Sequence, residues 1–516
     1  MIPHFVALAV LALQAQPSTA SIRGFVVAAG TSTPVPRAHV TVVGRQMVQV
    51  DTDESGQFAV RDLQPGKYRI SAVSEGYVTG VYGRRSGGGA GREIDVVPGQ
   101  EVNGIVVGLT AKSAISGRVS DSNGDPVAKT KVQILRYTYQ DGQRILVLAG
   151  SATSDERGEY TFPSLAPGPY VVSSAPIDSD AHLPVYFPGT TDVTTASPVD
   201  LPPGVNFTGV NVRLVDGRPV HISGHVTNSL TGQSAGNATV TLVPKRGTVS
   251  TGSTQRVTAS GAGAFEFQHM APGSYGIVAS LTSNGNRLAA AEPIEVGSSD
   301  IDNIALVLQP QITLKGKIRV ENHSTPVVDL SRVRVELRRQ PFTQELLIVL
   351  PSVAPDGSFT VFGVTPGDYE LKVNAGNAAY TKWARFGAID ALNPPFHVEA
   401  GVGQLDILIS TSGGTLDAAV LDSNMNPVPE ATVVLVPEPP LRNRIDLYDV
   451  KGTDRTGRAH LTDIAPGDYR IFAWDDIPAD AWQDPDFVRP YENRGKLVHV
   501  SEGQISTVQL ELISRP

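Results

Sequence analysis

Residues 52–77 read TDESGQFAVRDLQPGKYRISAVSEGY, and two short signals inside this stretch, Gly56-Gln57-Phe58 and Pro65-Gly66-Lys67-Tyr68, decide how the chain is organised. The second signal recurs as Pro167-Gly168-Pro169-Tyr170, Pro272-Gly273-Ser274-Tyr275, Pro366-Gly367-Asp368-Tyr369 and Pro466-Gly467-Asp468-Tyr469, with the prolines 102, 105, 94 and 100 residues apart. The first recurs with it, as Gly158-Glu159-Tyr160, Gly263-Ala264-Phe265, Gly357-Ser358-Phe359 and a degenerate Gly457-Arg458-Ala459. In all five copies its glycine precedes the proline by nine residues. A period of this size, in a chain too long for one hydrophobic core, means an array of domains. The constant offset predicts a hairpin, because one residue of slip would turn every buried side chain outward. Pro-Gly suits the centre of a type II turn, where proline presets φ and glycine accepts a positive φ.

Around these signals each repeat shows strands of period two. It opens with an apolar-x-small-x-apolar run: Ile22 to Val26, Ile115 to Val119, Ile222 to Val226, Leu314 to Ile318 and Leu416 to Val420. A second strand follows, AHVTVV (38–43), TKVQIL (130–135), ATVTLV (238–243), VRVEL (333–337) or ATVVLV (431–436), so that a hairpin opens every unit. Each repeat closes on a further alternating strand, such as NGIVVGL (103–109) or STVQLEL (506–512). Gly and Pro make up 89 of 516 residues, about 17% against a usual share of roughly 12%, which fits many strands joined by many turns. Short strands at this density predict a two-sheet sandwich.

The order of these elements, matched best in residues 52–77 and in SDERGEYTFPSLAPGPYVV (154–172), resembles the carboxypeptidase regulatory-like domain. The resemblance implies an all-β chain of five tandem seven-stranded-type β-sandwich domains in a row, of transthyretin-like or prealbumin-like fold, with a broader similarity to carbohydrate-binding sandwiches. Boundaries are placed at 21–111, 112–218, 219–310, 311–411 and 412–516, after a signal peptide over 1–20. Later repeats depart from the pattern: Ser260 and Ala354 replace the Asp of Asp-x-x-Gly, Ala418 replaces the glycine of the opening strand, and Ala459 replaces the aromatic residue. In the metallocarboxypeptidases that give the family its name, this domain accompanies the catalytic one and does no chemistry.

Composition narrows the function. A net charge of −9 without long charge runs argues against nucleic acid as a partner, and the absence of cysteine excludes disulfides, thiolate metal sites and a cysteine nucleophile. The apolar stretch Phe5 to Ala15 is too short to span a bilayer but has the length of a signal peptide. Ser18-Thr19-Ala20 offers a small-x-small cleavage site, so the mature chain starts near Ser21 and is exported, with no transmembrane segment.

Candidate chemistry is sparse. His221 and His225 lie four apart on a strand, about 13 Å at ~3.3 Å per residue, too far for one ion. His499-Val500-Ser501-Glu502 lacks the downstream histidine of a carboxypeptidase zinc site. Asp121 to Asp125 and Asp422 to Asn426 resemble calcium loops but place Pro126 and Pro427 where an EF-hand needs glycine, and read as turns. The basic stretch YGRRSGGGAGR (82–92) reads as a surface loop. No metal, cofactor or catalytic residue is assigned. The candidate ligand-binding residues are aromatic and lie in non-repeating segments: Trp383, Trp474, Trp482 and Tyr491. A sugar ring could stack on such a face while nearby Asp and Asn take its hydroxyls. The tyrosines of the repeated motif, whose neighbours share no chemistry, are read instead as buried rings hydrogen-bonded to nearby backbone. The sequence thus predicts a non-catalytic binding or scaffold protein at or outside the bacterial envelope, with polysaccharide as the leading ligand. The alternative is a stalk or adhesion module that binds a cell-surface protein.

Overall fold

A computed structural model describes residues 19–83, 91–174, 184–215, 220–244, 254–270, 273–283, 285–321, 328–340, 348–376, 379–393, 395–399 and 403–514. Residues 1–18 of the expected signal peptide, most of the 82–92 loop and Pro272 lie outside these residues. The chain forms two compact units. One comprises residues up to 114 with 163–168 and 201–206, and the other comprises 115–162, 169–200 and 207–516.

Strand dominates both units, and the repeats share a plan. In the first repeat the opening strand Ala20–Ala28 pairs antiparallel with Gln57–Leu63, the strand after the Gly-x-aromatic signal, and parallel with the closing strand Glu101–Ala111. It begins at Ala20, buried opposite Leu63, one residue before the expected mature start. The facing sheet pairs the second strand His39–Val43 with the tyrosine strand Gly66–Val73. The third repeat follows this plan with Val220–Asn228 between Ala264–Met270 and Ile301–Pro310, the fourth with Ile312–Glu321 between Ser358–Val364 and Leu405–Ser410, and the fifth with Gly414–Leu421 between Arg458–Ile464 and Ile505–Glu511. In repeats one, three, four and five the two layers enclose a core, for example Leu314, Ile318, Leu337, Phe359, Tyr369 and Ile407 in the fourth.

Two expected hairpins are corrected by this pairing. In repeats one, two, four and five the opening and second strands lie in different sheets, as do the Gly-x-aromatic and tyrosine strands. In repeat three the pairing of Asn286–Val296 with Ile301–Pro310 joins the two layers into one seven-stranded sheet, in which these strands are still not neighbours. Pro-Gly is therefore a corner between strands that do not pair, and in repeats one, two, four and five it carries the chain from one sheet to the other. Its glycine has φ of 157°, 132°, 153°, 145° and 158° at Gly66, Gly168, Gly273, Gly367 and Gly467, well beyond the roughly +80° of a type II turn. The nine-residue offset measures something else: the strand before the corner is seven residues long in every repeat. At the corner the tyrosine is buried, and its Oη donates to the carbonyl four residues earlier: Tyr68 to Gln64 at 2.8 Å, Tyr369 to Thr365 at 2.9 Å, and Tyr469 to Ala465 at 2.8 Å.

The turn glycine has a steric reason. Gly56, Gly158, Gly263, Gly357 and Gly457 have φ between 72° and 83°. A Cβ there would come within 2.3 to 3.0 Å of an opening-strand carbonyl oxygen, closer than real contacts allow. Where Asp stands three residues earlier it satisfies the turn: Asp53 Oδ1 accepts the backbone N–H groups of Ser55 and Gln57, and Asp454 those of Thr456 and Arg458. Ser260 Oγ accepts from Ala264 N at 3.1 Å, and Asp356 takes over with Ser358 N at 2.9 Å, so repeats without this Asp keep a capped turn.

The second repeat departs from the plan by length. Its second strand, Lys131–Gln140, runs ten residues where the other repeats use five or six, and it pairs with Gln143–Thr153. Asp141 and Gly142, at φ 51° and 73°, form the two-residue type I′ turn. The tip of this hairpin meets repeats four and five: Asp141 reaches Arg338 and Lys372, and Tyr139 packs edge-on against Phe487 with centroids 5.8 Å apart.

Candidate functional site

Three of the four predicted aromatic residues come together, but as a core. Trp474, at the end of the tyrosine strand Gly467–Trp474, is 1% exposed and stacks on Phe472 with centroids 4.8 Å apart. Tyr491 stands edge-on to it at 5.8 Å and Phe487 lies 6.5 Å away. Val434, Val436, Ile477, Ala481, Val488 and Ile513 complete the cluster, and Trp482 is half-buried against it. The turns Ala481–Gln483, Pro485–Val488 and Arg489–Arg494 close it on the outer face of the sheet. With both faces covered, Trp474 offers no surface to a sugar. The signal for this was the unbroken apolar run Ile471-Phe472-Ala473-Trp474, which means a strand buried on both faces. Trp383 stands apart on Tyr380–Phe386, half-buried, with the Arg385 guanidinium 5.0 Å from its ring centre.

The candidate metal residues serve as turn caps and surface pairs. Asp121 Oδ1 accepts from Asn123 N and Asp125 N, and Asp422 Oδ1 from Asn424 N and Asn426 N. His221 pairs with Glu266 at 3.2 Å and His499 with Asp468 at 2.7 Å. Among the described residues no three such ligands converge, and no helix is long and apolar enough to cross a membrane.

The site that sequence reasoning missed is a polar cleft of about 940 Å³ between repeats four and five, with the hairpin tip of repeat two on its rim. Its ionic groups largely neutralise one another. Asp141 accepts from Arg338 at 2.8 Å and from Lys372 at 3.4 Å, while Arg338 also pairs with Glu336. Burial would raise the Asp141 carboxyl, but the Arg338 hydrogen bond and the two positive charges outweigh it and hold the carboxyl below its usual range. Arg444 grips Asp446 with two hydrogen bonds, 2.7 and 2.6 Å, and reaches Asn393 Oδ1 at 3.4 Å. On the floor, burial raises the Asp449 carboxyl and pushes the Tyr448 hydroxyl up to about 12. Thr381 is 6% exposed, and its Oγ1 has no partner among the described residues. A cleft with internally paired charges, an unmatched hydroxyl and the amides of Asn393 and Asn443 can hydrogen-bond a polar, uncharged molecule. No sequence signal marks it, since its residues come from three repeats and share no motif.

The architecture defines a class, a tandem β-sandwich protein whose repeated residues build turns and corners. The family model described as the carboxypeptidase regulatory-like domain matches residues 21–110 and 114–214. No curated protein matches the chain. Among solved structures it is similar to a streptococcal ancillary pilin, at 10% identity over 57% of this chain and 100% of that one, TM-score 0.22. It is similar to the minor pilin GBS52 of Streptococcus agalactiae, at 12% identity over 38% and 95%, TM-score 0.24. A putative carbohydrate binding protein from Pseudomonas aeruginosa matches at 18% identity over 17% and 88%, TM-score 0.14.

Proposed function

We propose that this chain is an exported, non-catalytic scaffold and binding protein of the bacterial cell envelope. It is built of five sandwich modules at 21–111, 112–218, 219–310, 311–411 and 412–516, and it takes a neutral carbohydrate in the cleft between the last two. The observation that carries this reading is the cleft itself. Its charges largely pair with one another, and the Thr381 hydroxyl has no partner among the described residues. The Asn393 and Asn443 amides, which bond Asp390, Arg444 and the Asn393 carbonyl, each keep a second N–H for a hydroxyl-rich ligand. Trp383, Trp482 and Tyr491, half-buried and outside the lining of the cleft, remain candidate stacking faces of their own.

Binding of the chain to a panel of neutral and acidic glycans tests this. The expected result is binding of a neutral glycan that weakens about tenfold, or ~1.4 kcal/mol, in Thr381→Val or Asn393→Ala. Absence of binding to every glycan would favour the second reading, a stalk or adhesion module that binds protein. That reading is supported by the exposed backbone edge of the chain's last strand.

A further inference from the structure

The closing strands of the repeats differ in what lies beyond them. In repeat four, Tyr380–Phe386 pairs antiparallel with the full length of Leu405–Ser410 and seals that edge. In repeat one, Tyr77 and Val78 cover the end of Glu101–Ala111, and in repeat three Leu288 and Ala289 cover the end of Ile301–Pro310, both antiparallel. In repeat five, Ile505–Glu511 pairs with Gly414–Leu421 on one side. On the other side no strand among the described residues joins it, which leaves a three-stranded sheet.

The cause is local. The gaps between the tyrosine strand and the next strand of the same sheet are equal, 375–395 in repeat four and 475–495 in repeat five. The first gap spends its residues on the sealing strand. The second contains Pro478, Pro485 and Pro490, caps its helical turn with the Asp484 side chain on Asp486 N, and spends its residues covering Trp474.

The polarity of the open edge follows from the parallel pairing. Thr415 N donates to Gln504 O and Leu512 N to Leu421 O, so the even-numbered residues of the strand bond inward. The N–H and C=O groups of Ile505, Thr507, Gln509 and Glu511 therefore face out. Natural edges are usually blunted by lysine, proline or a bulge, and this strand has none of them. Ile505 is 71% exposed at one end, and at the other Arg494 approaches Glu511 at 3.6 Å.

We propose that this edge pairs with the same strand of a second copy, antiparallel about a two-fold axis at Val508. In that register Thr507 exchanges two hydrogen bonds with Gln509 of the other copy, and Ile505 lies opposite Glu511. No like charges meet, and each outward N–H finds a carbonyl. The two three-stranded sheets become one of six, and the antiparallel slot that Tyr380–Phe386 fills in repeat four is filled from outside.

Sedimentation of the full chain over a concentration series tests this, with Gln509→Pro, Thr507→Lys and Leu497→Ala as variants. Gln509→Pro removes an outward N–H that the sheet does not use, so thermal unfolding should be unchanged. Leu497 is an exposed residue on the other sheet. The expected result is a reversible dimer that Gln509→Pro and Thr507→Lys each weaken by more than about tenfold, while Leu497→Ala leaves it intact. A chain that stays monomeric throughout the series, or a dimer indifferent to Gln509→Pro and Thr507→Lys, overturns the proposal.

Discussion

Gly316 and Phe359 show how little room one residue leaves another. They sit opposite each other across antiparallel strands, and a Cβ on Gly316 would lie 2.0 Å from Phe359 Cζ, so the ring rests on bare backbone. The pairs Gly24 with Phe58 and Gly224 with Phe265 repeat the arrangement. In repeat five both partners change together, Ala418 facing Ala459. The two departures that weaken the sequence match are thus one compensated substitution. Gly316→Ala alone should cost about 1–3 kcal/mol through overpacking, and Phe359→Ala about 3–5 kcal/mol through the cavity it leaves. The double variant, which recreates the pair of repeat five, should cost less than the sum by about 1 kcal/mol or more. Urea unfolding of the three variants measures this coupling, and strict additivity would sink the explanation.

Whole strands follow the same logic of neighbours, and the hairpin of repeat two is the clearest case. Its Gly142 combines φ of 73° with a position where a Cβ would approach Gln483 O to 3.0 Å. Gly142→Ala should therefore cost about 1–2 kcal/mol from the left-handed conformation alone. It should also raise amide exchange both in the hairpin and at 481–483, whereas a purely local effect would leave 481–483 unchanged. The strands themselves were legible, because period-two alternation and the Gly and Pro signals depend only on near neighbours. Pairing was less so. Pro-Gly reads equally well as a hairpin turn or a corner between unpaired strands, and the strand pairing and the glycine φ, neither legible in the sequence, tell them apart. The gaps 375–395 and 475–495 are equal in length yet one becomes a strand and the other helical turns, since the second must cover Trp474. The cleft was not legible at all. Asp141, Arg338 and Arg444 come from three repeats, and no local pattern announces that they meet.

At the scale of the second unit, which contains this hairpin, contacts join repeats that are far apart in the chain. Asp141 is 197 residues from Arg338 and 231 from Lys372, and Tyr139 lies in the aromatic cluster of repeat five. Modules tied in this way should lose structure together rather than one by one. The tie has a sign in pH. The folded-state pKa of Asp141 is depressed, so its contribution is fully present above the ordinary carboxylate range and is lost as pH falls through the lowered value. Its side chain is 31% exposed while Arg338 is 11% exposed, so the ion pair is partly shielded and should be worth about 1–2 kcal/mol. Asp141→Asn keeps the shape and removes the charge. By scanning calorimetry at neutral pH this variant should unfold earlier than the parent, with repeat two separating from repeats four and five as a distinct transition. Adding Tyr139→Ala should widen the separation by removing the ring contact with Phe487. In acid below the lowered Asp141 value the parent and Asp141→Asn should coincide, because the parent has then lost the same charge. A difference between them that persists unchanged into acid would show that the hairpin is held by packing alone.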